Sequence, residues 1–535
     1  MKLSIEGIKD KKEWEKAGIK LPSYDVEKVA TATKEAPVWV HFGIGNIFRI
    51  FIGGIADSLL EQGLSDKGIT CVETFDYDVV DKIYTPFDNL VMAVTLKEDG
   101  STDKKVLGSL TEAVKAQSSV EAEWSRLKTI FASPELQMIS FTITEKGYAL
   151  HDAKGEFFPF IKSDIDNGPD KASSAMAVVA ALLLERFNTC KAPLAVVSMD
   201  NCSHNGEKLR NSVTEMVSEW AKKGFVGEDF VKYVNDENTI SFPWSMIDKI
   251  TPRPADTVAE SLKEAGVEDM DPVITSKRTY IAPFVNAEGP QYLVIEDRFP
   301  NGRPQLEKAG VYMTDRDTVN KVERMKVTTC LNPLHTALAV YGCVLGYDLI
   351  ADEMKDKELS ELVKRIGLVE GMPVVTNPGI IDPEKFADEV INVRIPNPFM
   401  PDTPQRIATD TSQKVGIRYG ETIKSYVAKD GSARALTAIP LAIAGWCRYL
   451  LGIDDNGEAF ELSPDPMADE LKCQLDGIVW GESSSYTGQL KNLLSNANIF
   501  GINLYEAGIG DKIEEMFVEE ISGKGAIRET LKKYL

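Results

Sequence analysis

Short apolar runs that alternate with helical patterns are the feature that most constrains how this chain can fold. Residues 37–42, 68–73, 136–144 and 193–199 are rich in β-branched and aromatic side chains and predict buried strands. Long helical patterns such as "DKASSAMAVVAALLLERF" separate them. Strands that alternate with helices pair in parallel through right-handed crossovers, so an α/β fold with a parallel sheet is expected.

The second half of the chain has a different pattern. After about residue 290 strand signals become scarce, and 535 residues are too many for a single hydrophobic core. We therefore expect a nucleotide-binding domain over residues 1–286 and a mainly α-helical domain over residues 287–535. The expected helical segments of the second domain are 317–326, 333–350, 354–366, 435–452 and 485–499.

Composition restricts the class of partner. The chain carries 60 Lys and Arg against 82 Asp and Glu, a formal charge of −22, which argues against nucleic acid or an anionic membrane surface. Seven dispersed cysteines without a CxxC pair indicate free thiols in a reducing cytoplasm. The charged N-terminus does not resemble a signal peptide, and the apolar stretches are too short or too interrupted to span a bilayer. A cytoplasmic protein with a small-molecule substrate is expected.

The stretch "HFGIGNIFR" (41–49) stands where the first strand passes into a helix. Gly43 permits the tight turn, and Gly45 lets the backbone approach a pyrophosphate at the helix N-terminus. Phe48 replaces the usual third glycine, so the motif alone is weak and the flanking strand and helix carry the argument. The candidate cofactor contacts in this turn are Gly43, Gly45, Asn46, Phe48 and Arg49.

An acidic residue is expected at the end of the second strand, where it would accept the ribose hydroxyls of a dinucleotide. Glu73 stands there, 28 residues after Gly45, and Asp76 is the competing candidate. A carboxylate at this position favours NAD over NADP because it repels a 2′-phosphate. Alternatively, Glu73 is a solvated carboxylate at a strand end.

Polar residues also follow a later strand, in "SMDNCSHNGEKLR". Asp200 and Asn201 fall at the carboxyl end of that strand, where ligands bind in open α/β sheets. The structural alternative is an Asx turn in which Asn205 caps the next helix.

The stretch "ERMKVTTCLNPLH" (323–335) is the candidate for proton transfer. A nicotinamide enzyme needs a proton carrier, yet no Cys and His set has zinc-ligand spacing, and the one Tyr-x-x-x-Lys pair, Tyr24 and Lys28, precedes the first strand. Lys326 remains as a general acid/base. Alternatively, Asn332 and Pro333 cap and begin a helix, and His335 is a core histidine.

Together these segments resemble the polyol-specific long-chain dehydrogenases of the mannitol dehydrogenase family. The resemblance extends from about residue 37 to 415 and includes "DNLVMAVTLKEDG", "ISFTITEKGY", "FPWSMIDKITPRPAD", "VIEDRFPNGRPQLEKAGV" and "VRIPNPFMPDTPQRIATD". It implies a Rossmann-type N-terminal domain, a mainly helical C-terminal domain, no metal, and the interconversion of a secondary alcohol and a ketone on a linear sugar derivative with NAD(H) or NADP(H).

The resemblance also implies roles for individual residues. It makes Lys326 the general acid/base, with Glu323 one turn earlier on the proton path. It makes Asn201 and Asn332 the pair that binds the reacting oxygen, and His335 the residue that orients the substrate. The substrate contacts that it implies are Asp248, Arg394 and, as a weaker candidate, Lys414.

One departure from the family pattern affects this assignment. The family usually has five steps from the lysine to the asparagine and then a small residue, whereas here there are six steps and then Pro333. One extra residue would rotate a continuous helix by about 100° and separate Lys326 from Asn332. A break or bulge that absorbs the extra residue is therefore expected.

The pattern looks most similar to the fructuronate reductase branch of the family. It implies reduction of D-fructuronate to D-mannonate with NADH. Mannitol 2-dehydrogenase and tagaturonate reductase activities are the alternatives, with a non-catalytic sugar-acid or nucleotide sensor as the remote one. A monomer and a small homo-oligomer are both compatible with the sequence.

Overall fold

The computed structural model describes all 535 residues and divides them into two compact units. The first unit contains residues 1–97 and 101–320, and the second contains residues 98–100 and 321–535. The first unit thus extends past residue 286, where the sequence suggested a boundary. The reason is strand pairing, because Tyr292–Glu296 pairs with Ser245–Asp248 and with Tyr312–Thr314.

A six-stranded parallel sheet is the centre of the first unit. Numbered along the chain, its strands are β1 (Trp39–Phe42), β2 (Ile69–Glu73), β3 (Leu110–Lys115), β4 (Met138–Phe141), β5 (Leu194–Ser198) and β6 (Ile240–Ser241). They lie in the order β3-β2-β1-β4-β5-β6, which is the order of a dinucleotide-binding Rossmann domain. The four strands expected from the sequence are β1, β2, β4 and β5, so the predicted α/β fold is confirmed.

Both faces of this sheet are buried. Val40 and Phe42 of β1 pack into one hydrophobic cluster, while Trp39 packs into the other. Successive side chains of a strand point to opposite faces, which explains why these strands read as nearly continuous apolar runs. The α-helices of the first unit are Lys11–Lys16, Val26–Glu35, Gly53–Glu61, Glu121–Ala132, Thr144–Tyr148, Pro159–Asn167, Ala175–Thr189, Asn205–Lys222, Glu228–Asn235 and Asp256–Glu264.

Smaller sheets complete the first unit. A four-stranded sheet contains Ile19–Lys20, Thr102–Leu107, Val91–Leu96 and Phe284–Glu288 in that order. A three-stranded sheet contains Ser245–Asp248, Tyr292–Glu296 and Tyr312–Thr314, and a two-stranded one contains Val273–Ile274 and Tyr280–Ile281.

The second unit is helical, as the sequence predicted, with one helical segment broken into pieces. Residues 485–499 do not form one helix, because Asn496 caps a new four-residue helix with its side chain. The helices are Arg316–Met325 (which begins in the first unit), Asn332–Leu345, Ile350–Glu353, Lys357–Lys364, Pro383–Glu389, Pro404–Ile407, Glu421–Asp430, Ala438–Tyr449, Ala468–Gln474, Lys491–Leu494, Ala497–Phe500, Gly510–Glu520 and Ala526–Tyr534. None of the helices in either unit is both long and apolar enough to cross a membrane.

Six π-helical turns interrupt the α-helices. Such turns are rare and are found frequently at functional sites. Four of the six carry a buried or half-buried cationic side chain in the second unit, namely Lys326, Arg365, Arg394 and Arg418. The six turns are Phe48–Ile52, Val80–Tyr84, Lys326–Cys330, Arg365–Gly371, Val390–Arg394 and Gly416–Gly420.

Candidate active site

The turn after β1 has the form that a dinucleotide requires. Gly43 has a φ of 87°, and a Cβ there would lie 2.3 Å from the carbonyl oxygen of Thr142, so only glycine fits. A Cβ on Gly45 would meet no atom within 4 Å, which leaves open space above the turn. The buried Oδ1 of Asn46 has no hydrogen-bond partner in the protein. This turn therefore fits a bound pyrophosphate and leaves a polar atom for the cofactor.

Phe48 and Arg49 face the protein interior. Phe48 is fully buried and stacks on the ring of His41 at 4.0 Å. Arg49 donates from Nη1 to the carbonyl oxygen of Ala282 and from Nη2 to that of Pro283, each at 2.7 Å. Burial lowers the pKa of Arg49 to about 10. Arg49 fixes the turn to a neighbouring segment, and a cofactor contact by either residue stays a prediction.

Glu73 is buried at the end of β2 and organises the backbone around the turn. Its Oε1 accepts hydrogen bonds from the amides of Thr74 and Phe75 at 2.9 Å, while Oε2 has only a 3.5 Å contact from the amide of Ile44. Burial raises its pKa, opposed by these amides. The interpretation of Glu73 as a solvated carboxylate is therefore wrong. Its Oε2, beside the glycine-rich turn, accepts no short hydrogen bond from the protein.

Asp76, the competing acid, is held elsewhere. Its Oδ2 accepts hydrogen bonds from the hydroxyls of Thr275 and Thr279 at 2.6 and 2.5 Å. Glu73 is therefore the acid in contact with the glycine-rich turn.

The carboxyl ends of β4 and β5 are joined by buried hydrogen bonds. Asp200 accepts from the amides of Ile143 and Thr144 at 2.9 Å, and burial raises its pKa. Thr144 has a φ of 63°, a strained value for a β-branched residue that Asp200 helps to hold. Asn205 is the first residue of its helix and donates to the carbonyl oxygen of Asp200 and to Ser245 Oγ.

These bonds position two candidate substrate residues. Asn201 is exposed between the fixed Asp200 and Asn205, and Asp248 is buried at the end of the Ser245–Asp248 strand. The expectation that Asn205 acts as a side-chain helix cap is wrong, because His204 occupies the cap position without a side-chain hydrogen bond.

In the second unit, a π-helical turn separates Lys326 from Asn332. The Arg316–Met325 helix passes into the turn Lys326–Cys330, in which the amide of Leu331 donates to the carbonyl oxygen of Lys326 at 3.1 Å. The next helix begins at Asn332, with Pro333 as its second residue. The break expected between Lys326 and Asn332 is confirmed. Lys326 is 3% exposed, and Glu323 is half-buried one turn earlier.

Asn332 does not cap its helix. Leu331 occupies the cap position and forms no side-chain hydrogen bond, so the capping interpretation is wrong. The buried Oδ1 of Asn332 has no partner in the protein. Buried polar atoms are nearly always paired, so this carboxamide oxygen, close in sequence to Lys326, is an acceptor that the protein itself leaves unused.

His335, one turn further along the same helix, is surrounded by charge. Burial lowers its pKa to about 4, Asp402 opposes this shift, and Arg394, Arg418 and Arg406 reinforce it. His335 is therefore neutral at physiological pH, with one ring nitrogen able to donate and the other able to accept.

The cationic side chains near His335 and Arg418 differ in what they bind. Arg394 is 2% exposed and ends the π-helical turn Val390–Arg394. Arg406 forms an ion pair with Asp402, and Lys414 donates from Nζ to the carbonyl oxygen of Thr409 at 2.6 Å. Arg418 was not identified from the sequence. The signals that could have marked it are its position four residues after Lys414 and the two glycines of "GIRYG" that flank it.

The chain matches two family models in sequence. The model of the mannitol dehydrogenase Rossmann domain matches residues 37–308, and that of the mannitol dehydrogenase C-terminal domain matches residues 318–520. A D-mannonate oxidoreductase of Thermotoga maritima is 54% identical over 100% of this chain and 99% of its own length.

Two solved structures have the same fold. D-sorbitol dehydrogenase in a substrate-free form has a TM-score of 0.75 at 26% identity, covering 94% of this chain and 97% of its own. Pseudomonas fluorescens mannitol 2-dehydrogenase, in a ternary complex with NAD and D-mannitol, has a TM-score of 0.68 at 25% identity, covering 100% and 99%. The chain therefore belongs to the mannitol dehydrogenase family and is an NAD-dependent oxidoreductase that acts on a CH–OH group.

Proposed function

We propose that this enzyme reduces D-fructuronate to D-mannonate with NADH. The full-length similarity to a D-mannonate oxidoreductase supports this reaction. The observation that carries the choice of a sugar acid is the charge around His335, where three arginines and one carboxylate, Asp402, act on one histidine in a chain with a net charge of −22. Such a local reversal of the global charge suits an anionic substrate.

We propose that Lys326 is the general acid/base. In the reductive direction, bound NADH supplies the hydride that adds to the carbonyl carbon. The carbonyl oxygen gains the electron pair of the broken π bond, and the ammonium group of Lys326 transfers a proton to that oxygen. In the oxidative direction the neutral lysine removes the hydroxyl proton. Glu323 is proposed to pass protons between Lys326 and solvent.

We propose that polar side chains stabilise the charge on the reacting oxygen. The carboxamides of Asn332 and Asn201 donate hydrogen bonds to it, and their effect is largest when the negative charge develops. Neutral His335 orients the substrate through a hydroxyl group, and Asp248 accepts a second hydroxyl proton. Arg394 and Lys414 remain candidate substrate contacts.

We propose that Gly43, Gly45, Asn46 and Glu73 hold the cofactor. The open space above Gly45 and the unpaired Oδ1 of Asn46 support this assignment. We also propose a cytoplasmic location, for which the dispersed cysteines are the support.

A side-by-side assay tests the proposed substrate. NADH oxidation is measured with D-fructuronate, D-tagaturonate and D-fructose at matched concentrations. We expect the highest kcat/KM with D-fructuronate. A higher value with D-tagaturonate would reassign the substrate within the sugar acids, and activity confined to D-fructose would overturn the proposal.

Mannitol 2-dehydrogenase activity is the second candidate. The fold shared with the mannitol 2-dehydrogenase that was solved with NAD and D-mannitol favours it. It needs the same lysine and asparagines but no group for a carboxylate, so it leaves the arginines around His335 without a role in binding.

A further inference from the structure

Arg418 is a half-buried arginine whose guanidinium group forms no ion pair. Its Nη1 donates to Thr336 Oγ1 at 2.5 Å. Burial is the first cause of its lowered pKa, and the one charge effect that opposes this shift comes from the phenol of Tyr419, not from a carboxylate. Burying a charge without a counter-charge costs free energy, so this arrangement favours binding of an external anion.

The neighbouring cations are already engaged by the protein. Arg406 is paired with Asp402, and its side chain is 63% exposed. Lys414 donates to the carbonyl oxygen of Thr409. Arg418 therefore differs from both: it is less exposed than Arg406, and it has no carboxylate partner.

The backbone holds Arg418 in place from one side. It lies in the π-helical turn Gly416–Gly420, whose two glycines press against another segment. A Cβ on Gly416 would lie 2.4 Å from the carbonyl oxygen of Ile499, and one on Gly420 would lie 1.8 Å from that of Phe500. Larger residues would displace the turn, so the glycines fix the position of Arg418.

Two hydrogen-bond paths connect this turn to the first turn of the Asn332–Leu345 helix. The hydroxyl of Tyr419 donates to the carbonyl oxygen of Pro333 at 2.9 Å. The hydroxyl of Thr336, which accepts from Arg418, donates to the carbonyl oxygen of Asn332 at 3.0 Å. Arg418 is thus oriented against the turn that carries Asn332 and His335, both proposed to contact the substrate.

We propose that Arg418 binds the substrate carboxylate and is the residue that separates sugar acids from uncharged polyols. The inference rests on the proposed function, because it names the group that recognises the acid. A guanidinium held by a threonine hydroxyl keeps other N–H groups for a carboxylate, in the planar geometry that suits such a pair. An uncharged sugar with a hydroxymethyl group in place of the carboxylate gains much less from this contact.

The test compares a charged and an uncharged substrate in four variants. Arg418→Met removes the guanidinium, Arg418→Lys keeps the charge, and Thr336→Val removes the orienting hydroxyl. Arg434→Met removes an exposed arginine of the same unit as a matched control. For each variant we would measure kcat/KM with D-fructuronate and with D-fructose, and the dissociation constants of D-mannonate and D-mannitol for the NAD-bound protein.

We expect Arg418→Met to lower kcat/KM for D-fructuronate by about 10- to 100-fold, mainly through KM, because a charge-assisted contact is lost. The value for D-fructose should change by less than about threefold, within the effect of a neutral surface change. Arg418→Lys should recover part of the loss, Thr336→Val should lose less than Arg418→Met, and Arg434→Met should match the wild type.

Failure of the inference and failure of the proposed function give different results. Equal losses on both substrates in Arg418→Met would show a structural role and overturn the inference while the proposed function stands. A wild type that reduces only D-fructose removes the proposed function. In that case, equal affinity of the wild type for D-mannonate and D-mannitol would overturn the inference as well. If the wild type prefers D-mannonate and Arg418→Met abolishes this preference, Arg418 is still a carboxylate-binding residue.

Discussion

Lys326 and Asn332 flank one π-helical turn: Lys326 opens the turn Lys326–Cys330, and Asn332 begins the helix that starts two residues after Cys330. The turn accommodates an additional residue between the two side chains through a wider backbone hydrogen bond, which runs from the amide of Leu331 to the carbonyl oxygen of Lys326. The six-residue spacing is therefore compatible with a lysine and an asparagine that act on one substrate oxygen.

Replacement of Lys326 by alanine should abolish turnover but not cofactor binding. The proposed proton transfer depends on this ammonium group, and loss of a general acid/base costs about 10²- to 10⁴-fold in rate. NADH binding, measured by the fluorescence of the bound cofactor, should remain within about twofold, because the proposed cofactor contacts lie in the first unit. Lys429→Ala, at an exposed position, is the control. Unchanged turnover in Lys326→Ala would remove this lysine from the mechanism.

Two asparagines in equivalent positions should respond in opposite ways. Asn332 and Asn205 each begin a helix, but Asn205 Nδ2 and Oδ1 are hydrogen-bonded, whereas Asn332 Oδ1 has no partner. Asn332→Ala should lower kcat by about 10²- to 10³-fold, because Asn332 Nδ2, the proposed donor to the oxyanion, is lost, with little change in the free energy of unfolding. Asn205→Ala should lower the free energy of unfolding by about 1–3 kcal/mol, because its buried partners lose their bonds.

Steady-state kinetics and chemical denaturation of the same preparations separate the two effects. A large loss of stability in Asn332→Ala, with kcat near the wild-type value, would return Asn332 to a purely structural role.

The parallel sheet could be predicted because its strands are buried on both faces. Trp39, Val40 and Phe42 all pack into hydrophobic clusters, so the run reads as apolar without alternation. The unit boundary was harder to predict. Tyr292–Glu296 lies after the expected boundary at residue 286, but it pairs with Ser245–Asp248, which lies before that boundary. No local pattern reports a pairing between segments so far apart.

The candidate site could be predicted only in part, again because some of its features depend on tertiary structure. A π-helical turn has no residue signature of its own, so its presence at Lys326 was inferred only from a departure in spacing. Arg418 was missed because its distinguishing property is the lack of a carboxylate partner, which depends on tertiary structure. Asn332-Pro333 has the form of a helix cap in sequence, but the cap position falls one residue earlier, at Leu331.

The pH dependence of activity should reflect a neutral His335. Its pKa is lowered to about 4, so it stays unprotonated through the range in which a free histidine titrates. The acid limb of kcat/KM should therefore contain no step near pH 6.5 that belongs to His335. Asp402→Asn should lower this pKa further, because Asp402 is the group that raises it. A step near pH 6.5 that disappears in His335→Gln would contradict the burial of a neutral ring.

A second buried acid should set part of the pH dependence of stability. Glu520 is fully buried, and burial raises its pKa to about 8. Tyr341 has one hydroxyl proton but lies 2.8 Å from the carbonyl oxygen of Leu441 and 2.6 Å from Glu520 Oε1. A protonated Glu520 resolves this arrangement, since it donates to the phenol oxygen while the phenol donates to Leu441.

The sign of the effect follows from proton binding. Between the ordinary pKa of 4.5 and the raised value of about 8, the folded state keeps the proton of Glu520 and the unfolded state releases it. This contribution to stability is complete below pH 4.5, and it falls by about 1.4 kcal/mol per pH unit as the pH rises toward 8.

Glu520→Gln keeps a donor at this position without titrating, so the decline in the free energy of unfolding between pH 5 and 8 should become shallower. Glu515→Gln, on an exposed residue of the same helix, is the control for denaturation in urea at several pH values. If the wild type and Glu520→Gln decline in parallel, Glu520 is ionised in the folded protein and the protonated hydrogen bond to Tyr341 does not form.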